Sequence, residues 1–208
     1  MTPADQYMDL FESAAGKGCA FVSTIPEIDR ACDHVVRLLG DASLLLEARS
    51  YGSSVFFSIT ALEETAKIHV SIFRRGKAGS HRQTDALFSH SKKHQLAVGP
   101  TLIMGSRLKE SIGEHRLKEL IHLSSSGGLV KIREASLYVE RSAKGYEDPQ
   151  RAVTGRLAWE LLLFSIEAFD DALVGYTSHS LQLGWVTDSI FARWQKSPTW
   201  DVNGSTHG

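Results

Sequence analysis

An all-α fold is what this sequence predicts, and two observations carry the prediction. Prolines number only five, at positions 3, 26, 100, 149 and 198. Between them, apolar residues recur three and four positions apart, with little of the strict alternation that marks strands. Thr24 and Ile25 precede Pro26, and Ile28, Ala31, Val35, Leu38, Leu39, Ala42, Leu45 and Leu46 follow at helical spacing. This pattern predicts a helix capped by Thr24 and running to about Ala48. After a short joint at Tyr51, Gly52, Ser53 and Ser54, the residues Val55, Ile59, Leu62, Ala66 and Phe73 mark one face of a second long helix. Phe56, Phe57, Ile68 and Ile72 flank that stripe, so this helix belongs at the bundle centre. The short connection predicts that these two long central helices pack as an antiparallel hairpin.

Arg74 to Ser80 is basic and contains glycine, which reads as a loop. A third helix is expected from about His81 to Ala97, ended by Gly99 and Pro100, and a more polar helical stretch from Thr101 to Leu123. Ser124 to Gly128 should break it. The pattern then weakens, so Leu129 to Gln150 is expected as a long loop, with a turn or extended piece at Ala135 to Val139 and a polar part through Lys144, Gly145 and Asp148. A final long helix should begin near Asp148 and Pro149 and carry Leu157, Leu161, Phe164, Ala168 and Ala172. Trp159, Leu162, Leu163, Ile166 and Phe169 make a second apolar face on it, followed by Trp185 and Trp194. One bundle covers one such face, so the surplus predicts a symmetric homodimer with the basic segment at or beside its interface, the alternative being that the loop Leu129 to Gln150 folds back over the second face. The polar tail from about Thr199 should fray. Neither a repeat nor a shift in composition demands a second domain, so residues 1–208 read as one.

Charge excludes a global attraction to nucleic acid or membrane, because 23 Lys and Arg stand against 24 Asp and Glu. Any such partner must be held by a local patch. Between Lys67 and His94 the cations outnumber the lone acid, Asp85, and that stretch suits an RNA backbone or an acidic protein. Phe73 and Phe88 fall at core-like spacing, so base stacking is not indicated. Cys19 and Cys32 have the spacing of neither a disulfide framework nor a zinc site and read as small hydrophobes in a reducing cytosol. Met1 to Leu10 carries Asp5 and Asp9, unlike a secretory signal, and the apolar stretch Leu157 to Phe169 contains Glu160 and Glu167. A cytoplasmic protein without membrane contact is expected.

The chemistry concentrates in two places. Glu63 and Lys67 stand four residues apart, an arrangement that supports an exposed helix. Glu63 nevertheless borders the apolar stripe, and Glu64 lies between Ala61 and Ile68; an acid buried there must be paired. Lys67, Lys93 and Arg133 are the natural cations for such a hub. His90, Lys93 and His94 form a single basic helix face, and an imidazole beside a fixed ammonium suits general acid and base work on a phosphodiester. Zinc on the two histidines would take Glu63 or Glu64 as a third ligand, but the His-Glu-x-x-His pattern is absent. No metal and no cofactor is called for. Arg133 and Tyr138 are placed to close over the same site, or simply to pack their loop. The candidate catalytic set is therefore His90, Lys93, Glu64 and Arg133, with Glu63, Lys67, His94 and Tyr138 as a binding or structural hub. Glu167, Asp170 and Asp171 offer counter-charges to these cations and lack the Glu-x-x-His step of a di-iron site.

Three blocks, in order, carry a family resemblance. In Leu38 to Val70, LLGDASLLLEARSYGSSVFFSITALEETAKIHV, a leucine-rich helix and a tyrosine joint lead to Ala61, Glu63, Glu64 and Lys67 in an Ala-x-Glu-Glu-x-x-Lys step. Phe88 to Leu96, FSHSKKHQL, supplies His90 and Lys93 as a His-x-x-Lys segment, and Ile132 to Glu140, IREASLYVE, supplies an arginine before a Leu-Tyr-Val step. Together they make the chain resemble the AbiV family of abortive infection proteins. The resemblance implies a HEPN-like helical bundle, commonly dimeric, and an antiphage toxin that stops growth or synthesis before phage mature. It implies action on RNA function or translation, and HEPN relatives often cut RNA. The alternative from another class is a non-catalytic helical protein that captures a phage-encoded protein or a translation component. RNA, a phage-encoded activator and a translation component are accordingly the expected partners. The chain departs from the nucleolytic HEPN signature, an arginine followed about four to six residues later by a histidine: after Arg151 and Arg156 the next histidine is His179. Arg75 with His81 and Arg116 with His122 meet the spacing, which carries little weight among 23 basic residues and nine histidines.

Overall fold

The computed structural model describes residues 3–16, 18–74, 85–99, 106–142, 145–147, 149–196 and 198, and helices dominate them. Helix α1 spans Pro3–Gly16, α2 Ile25–Glu47 and α3 Tyr51–Phe73, and a 3-10 turn at Ala86–Phe88 leads into α4, His90–Ala97. Then come α5 (Ser106–Ile112), α6 (Glu114–Ser126), α7 (Gly128–Ala135), α8 (Pro149–Ala152), α9 (Gly155–Leu173) and α10 (Ser178–Trp194). Between α7 and α8, β1 (Glu140–Ser142) pairs antiparallel with β2 (Gly145–Glu147).

Thr24 caps α2 as its sequence predicts. Its hydroxyl accepts from the Glu27 amide, and the Glu27 carboxylate accepts from the Ser23 and Thr24 amides at 2.7 and 3.0 Å, so the free amides of the first turn are satisfied reciprocally. The turn to α3 is short, with Arg49 in the left-handed region. Two contacts establish that α2 and α3 run antiparallel: Ser54 Oγ donates to the Ala42 carbonyl at one end, and the Phe21 amide donates to Ser71 Oγ at the other. Tyr51 to Ser54 belong to the first turn of α3 rather than to a joint. Gly52 lies so near α7 that a Cβ there would stand 2.6 Å from the Ser136 carbonyl oxygen, which makes glycine the residue that lets α3 approach.

Helix α3 is the bundle centre, with Val55, Ile59, Ala61, Leu62 and Ala66 fully buried. Phe73, expected on the same stripe, is half exposed because it sits in the last turn, where Phe11 of α1 meets it edge-on at 5.0 Å. Helix α1 was not marked by the sequence pattern. Its place is secured by the buried Arg74 guanidinium, which donates to the Ala14 and Cys19 carbonyls and forms a two-pronged pair with Asp85 at 2.9 and 2.7 Å. Cys19 and Cys32 are both free thiols, Cys32 fully buried.

Later elements differ more from expectation. The helix expected from His81 begins at His90, because Ser89 caps it there; residues 81–84 lie outside the described residues. Gly113, at φ 87°, splits the polar stretch into α5 and α6, and Gly127, at φ 79°, ends α6. The expected long loop from Leu129 instead begins as α7, two turns whose apolar face is too short to register as a period. Of its polar part, Lys144 and Asp148 lie outside the described residues, as do Thr101 and the tail from Thr199. The final long helix starts at Gly155 and is two helices, broken at Gly175 with φ 91°.

That break resolves the surplus apolar face. Trp159, Leu162, Leu163, Ile166 and Phe169 are all buried within this one chain, since α9 packs against α2, α3, α4, α5 and α10 together. Trp159 Nε1 donates to the Trp194 carbonyl and Trp194 Nε1 to Ser43 Oγ, so Trp194 closes the bundle instead of extending outward. Thr177 and His179 tie the start of α10 to Asp29 and Asp33 of α2. Among the described residues no helix is long and apolar enough to cross a membrane.

His69 faces Phe11 and Phe73 at 5.1 and 5.5 Å. Burial pulls its pKa down from the ordinary 6.5 to about 4. Its neutral form is therefore the folded form, while the unfolded chain takes up a proton below 6.5; the contribution to stability is complete above that value and is lost as pH falls through 4. Melting curves should show the unfolding temperature dropping between about pH 7.5 and about pH 5, and dropping less in His69→Phe, which cannot titrate. An equal drop in both proteins would remove His69 as a source.

Candidate functional site

An ionised carboxylate on the apolar circumference of α3 requires partners, and α4 brings them. Glu63 is 3 % exposed. His90, Lys93 and His94 project from one face of α4, spaced three and four apart, and all three reach it. Nδ1 of His90 lies 2.7 and 2.8 Å from the two carboxylate oxygens, Lys93 Nζ 2.5 Å from Oε2, and His94 Nε2 3.0 Å from Oε1. From α7, Arg133 Nε stands 3.8 Å from Oε1, near enough for charge attraction without a hydrogen bond, and its guanidinium carbon lies 4.8 Å from the centre of the Phe56 ring. One carboxylate thus faces two fixed cations and two imidazoles.

Electrostatics follow from this geometry. Burial by itself would raise the Glu63 pKa, but the hydrogen bonds from His94, Lys93 and His90 and the Lys93 charge outweigh it and hold the carboxyl at about 2. Glu63 is therefore ionised, and each imidazole nitrogen facing it must donate. For His90 this places a proton on Nδ1, and Nε2, on the far side of the ring, is the nitrogen that Glu63 does not engage. Burial lowers the His94 pKa against the opposing pull of Glu63. His94 is then neutral, with Nε2–H on Glu63 and an Nδ1 that has no hydrogen-bond partner. The His94 side chain is fully buried, Lys93 nearly so, and that of His90 is 45 % exposed. Of the three donors, His90 is the one presented to solvent.

The structure brings together Glu63, His90, Lys93, His94 and Arg133. It does not bring Glu64 or Lys67 to them: these two pair with each other at 2.5 Å on the neighbouring face of α3. Glu64 is one position on from Glu63, and a step of 100° around the helix takes its carboxylate to the rim. Tyr138 is exposed beyond the end of α7. Arg75 and His81 lie outside the described residues. Arg116 is engaged by Glu160 and Glu119 and His122 is exposed on the same helix. Among the described residues, no group of three or more His, Cys, Asp and Glu is arranged to hold a metal ion.

Two further charged clusters had no clear sequence signal. Glu160, almost fully buried, accepts from Arg116 at 2.7 Å and Arg156 at 3.0 Å in a cleft of about 320 Å³. Glu167 and Asp170, expected to face the basic segment, instead bind Arg107 of α5 together with Asp188. The i, i+3 spacing of Glu167 and Asp170 was visible, but the partner sixty residues away was not. Phe88 is also misplaced by its spacing, being half exposed beside α4.

A helical bundle built on an antiparallel pair of long central helices is the architecture of the HEPN-like class. The family model for AbiV (HEPN_AbiV) matches residues 27–166, about two thirds of the chain, and the chain belongs to that family. Membership gives it an abortive-infection role against phage. Neither a curated protein nor a solved structure matches the chain.

Removing the Glu63 charge leaves Lys93 and Arg133 facing each other uncompensated. Glu63→Gln should destabilise the fold by about 3 kcal/mol, a fall of roughly 6 to 12 °C in melting temperature for a chain this size. Glu64→Gln disturbs only a partly exposed pair and should cost less than about 1 kcal/mol. Thermal melts of the two variants check this; equal shifts would mean that the buried pairs matter no more than the surface one.

Proposed function

We propose that the protein carries out abortive infection by cleaving RNA, with His90 as the general base. The observation that carries this reading is the buried, ionised Glu63 holding Nδ1–H of His90 while nearly half of that side chain stays in solvent. In such a pair the carboxylate sets the tautomer and stabilises the imidazolium that forms when Nε2 takes a proton. The proton comes from a ribose 2′-hydroxyl; the 2′-oxygen attacks the adjacent phosphorus, and the 5′-oxygen leaves and is protonated by water. The products are a 2′,3′-cyclic phosphate and a 5′-hydroxyl. Lys93 and Arg133 leave the site one positive charge in excess of Glu63, before either histidine is counted, and this favours a phosphodiester that gains charge in the transition state. Glu63 takes the place given to Glu64 in the sequence-based set.

A second reading, non-catalytic capture of a phage protein or translation component, is favoured by the exposed Leu181, Trp185 and Val186 on α10, with Trp185 at 72 % exposure. The same face is the proposed contact of a homodimer, now that α9 is covered within the chain.

Incubation of the purified chain with total RNA should yield discrete products ending in cyclic phosphate, lost by at least about a hundredfold in a His90→Ala protein that still melts cooperatively. Uncut RNA with the folded wild-type protein would discard the nuclease and leave the capture reading. Light scattering should give twice the 22.9 kDa chain mass, and Trp185→Glu should reduce it to one chain. A wild-type mass of one chain rules the dimer out.

A further inference from the structure

At the rim of the Glu63 site two large aromatic side chains face solvent. Phe21 is 48 % exposed and Phe88 46 % exposed, and their rings lie 5.7 Å apart at an angle of 49°. Lys67 Nζ stands 5.6 Å from the centre of the Phe21 ring. Beneath the rings is a shallow cavity of about 100 Å³ bounded by Cys19 to Phe21, Asp85 and Phe88. Every backbone segment that carries this pair is fixed. The Phe21 amide donates to Ser71 of α3, Cys19 and Asp85 are both bound by the buried Arg74, and Asp85 caps the turn that presents Phe88. Two half-exposed phenylalanines held this way are preorganised for a flat apolar ligand.

Their position relative to the site specifies the ligand. Phe88 is two residues before His90, with only the capping Ser89 between, and Lys67 is one helical turn beyond Glu63 on α3. The platform therefore adjoins the charged site along two elements, Phe88 next to the cap of the helix that carries His90 and Lys93, and Lys67 one turn from Glu63. We infer that Phe21 and Phe88 form a stacking platform for one unpaired base, with Lys67 beside the neighbouring phosphate, so that the site takes single-stranded RNA and not duplex. This rests on the RNA-cleaving reading above. A base in a duplex has both faces covered by its neighbours and offers no face to the rings, whereas an unpaired base offers one at little cost. Stacking also accommodates any base, so the platform discriminates by strandedness and not by sequence.

Binding and cleavage are separated by using a fluorescently labelled 2′-O-methyl RNA strand, which lacks the hydroxyl that cleavage needs. Fluorescence anisotropy with the full chain should show the single strand binding at least about tenfold more tightly than the same strand annealed to its complement. Phe21→Leu with Phe88→Leu keeps apolar bulk and removes both rings; it should weaken single-strand binding by about tenfold or more at unchanged melting temperature. Phe88→Trp should bind as well as wild type or better. Equal binding of single strand and duplex, or unaltered binding by the double leucine variant, overturns the platform while leaving His90-dependent cleavage of total RNA untouched. Failure of wild type to bind the single strand overturns it as well. Binding that passes these tests in a protein that cuts no RNA would overturn the nuclease reading instead.

Discussion

Helix α3 carries a full negative charge into the middle of an apolar bundle, and much of the architecture around it answers that one constraint. An unpaired carboxylate at Glu63's burial would cost several kcal/mol, comparable with the whole stability of a domain. Neutralising it requires donors from outside α3. Helix α4, only eight residues long and with little apolar moment to seat it, supplies three of them from a single face. Helix α7 adds Arg133 from the other side, and the close approach at Gly52 lets it come near enough. The docking of two short helices is thus coupled to the placement of the candidate catalytic groups. The same carboxylate that fixes α4 also selects the tautomer of His90.

The Arg74–Asp85 pair supports this arrangement from behind. It is fully buried, and its remaining hydrogen-bonding capacity goes to the carbonyls of Ala14 and Cys19 and to the Leu87 amide. Burying such a pair gains little net stability over an apolar contact, but it permits only one geometry. Here that geometry joins the end of α1, the segment before α2, the end of α3 and the turn before α4. His90 therefore projects from an element whose entry is fixed two turns of chain earlier, as a site of defined geometry requires.

Other interior charges are handled by sharing. Arg107 answers Glu167, Asp170 and Asp188 at once and packs 4.0 Å over the Phe191 ring, which joins α5 to α9 and α10. One guanidinium does not suffice for three acids: burial, reinforced by Asp188, lifts Asp170 to about 7 against the pull of Thr187 and Arg107. Glu160 shows the reverse ratio, one buried acid for two arginines. The near-zero total charge of the chain conceals these local imbalances, and the excess of cations around Glu63 reaches solvent through His90.

How much of this was legible depended on the range of the forces involved. The all-α class, the Thr24 cap, the hairpin of α2 and α3 and the basic face His90, Lys93 and His94 are matters of local spacing, and spacing is contained in the sequence. The ordered blocks that resemble the AbiV family are likewise contained there, and all three lie within the region that the family model matches. Only the tertiary structure decided between Glu63 and Glu64, because adjacent positions on an apolar helix are both plausible until the direction of α4 is known. It also decided that α9 is covered within one chain, since the break at Gly175 folds α10 back against α2 and α9. Periodicity reports which face of a helix is apolar, but not what covers it. Phe88 shows this most plainly: its spacing matches a core position, yet Ser89 ends the turn there and leaves the ring half in solvent beside the charged site.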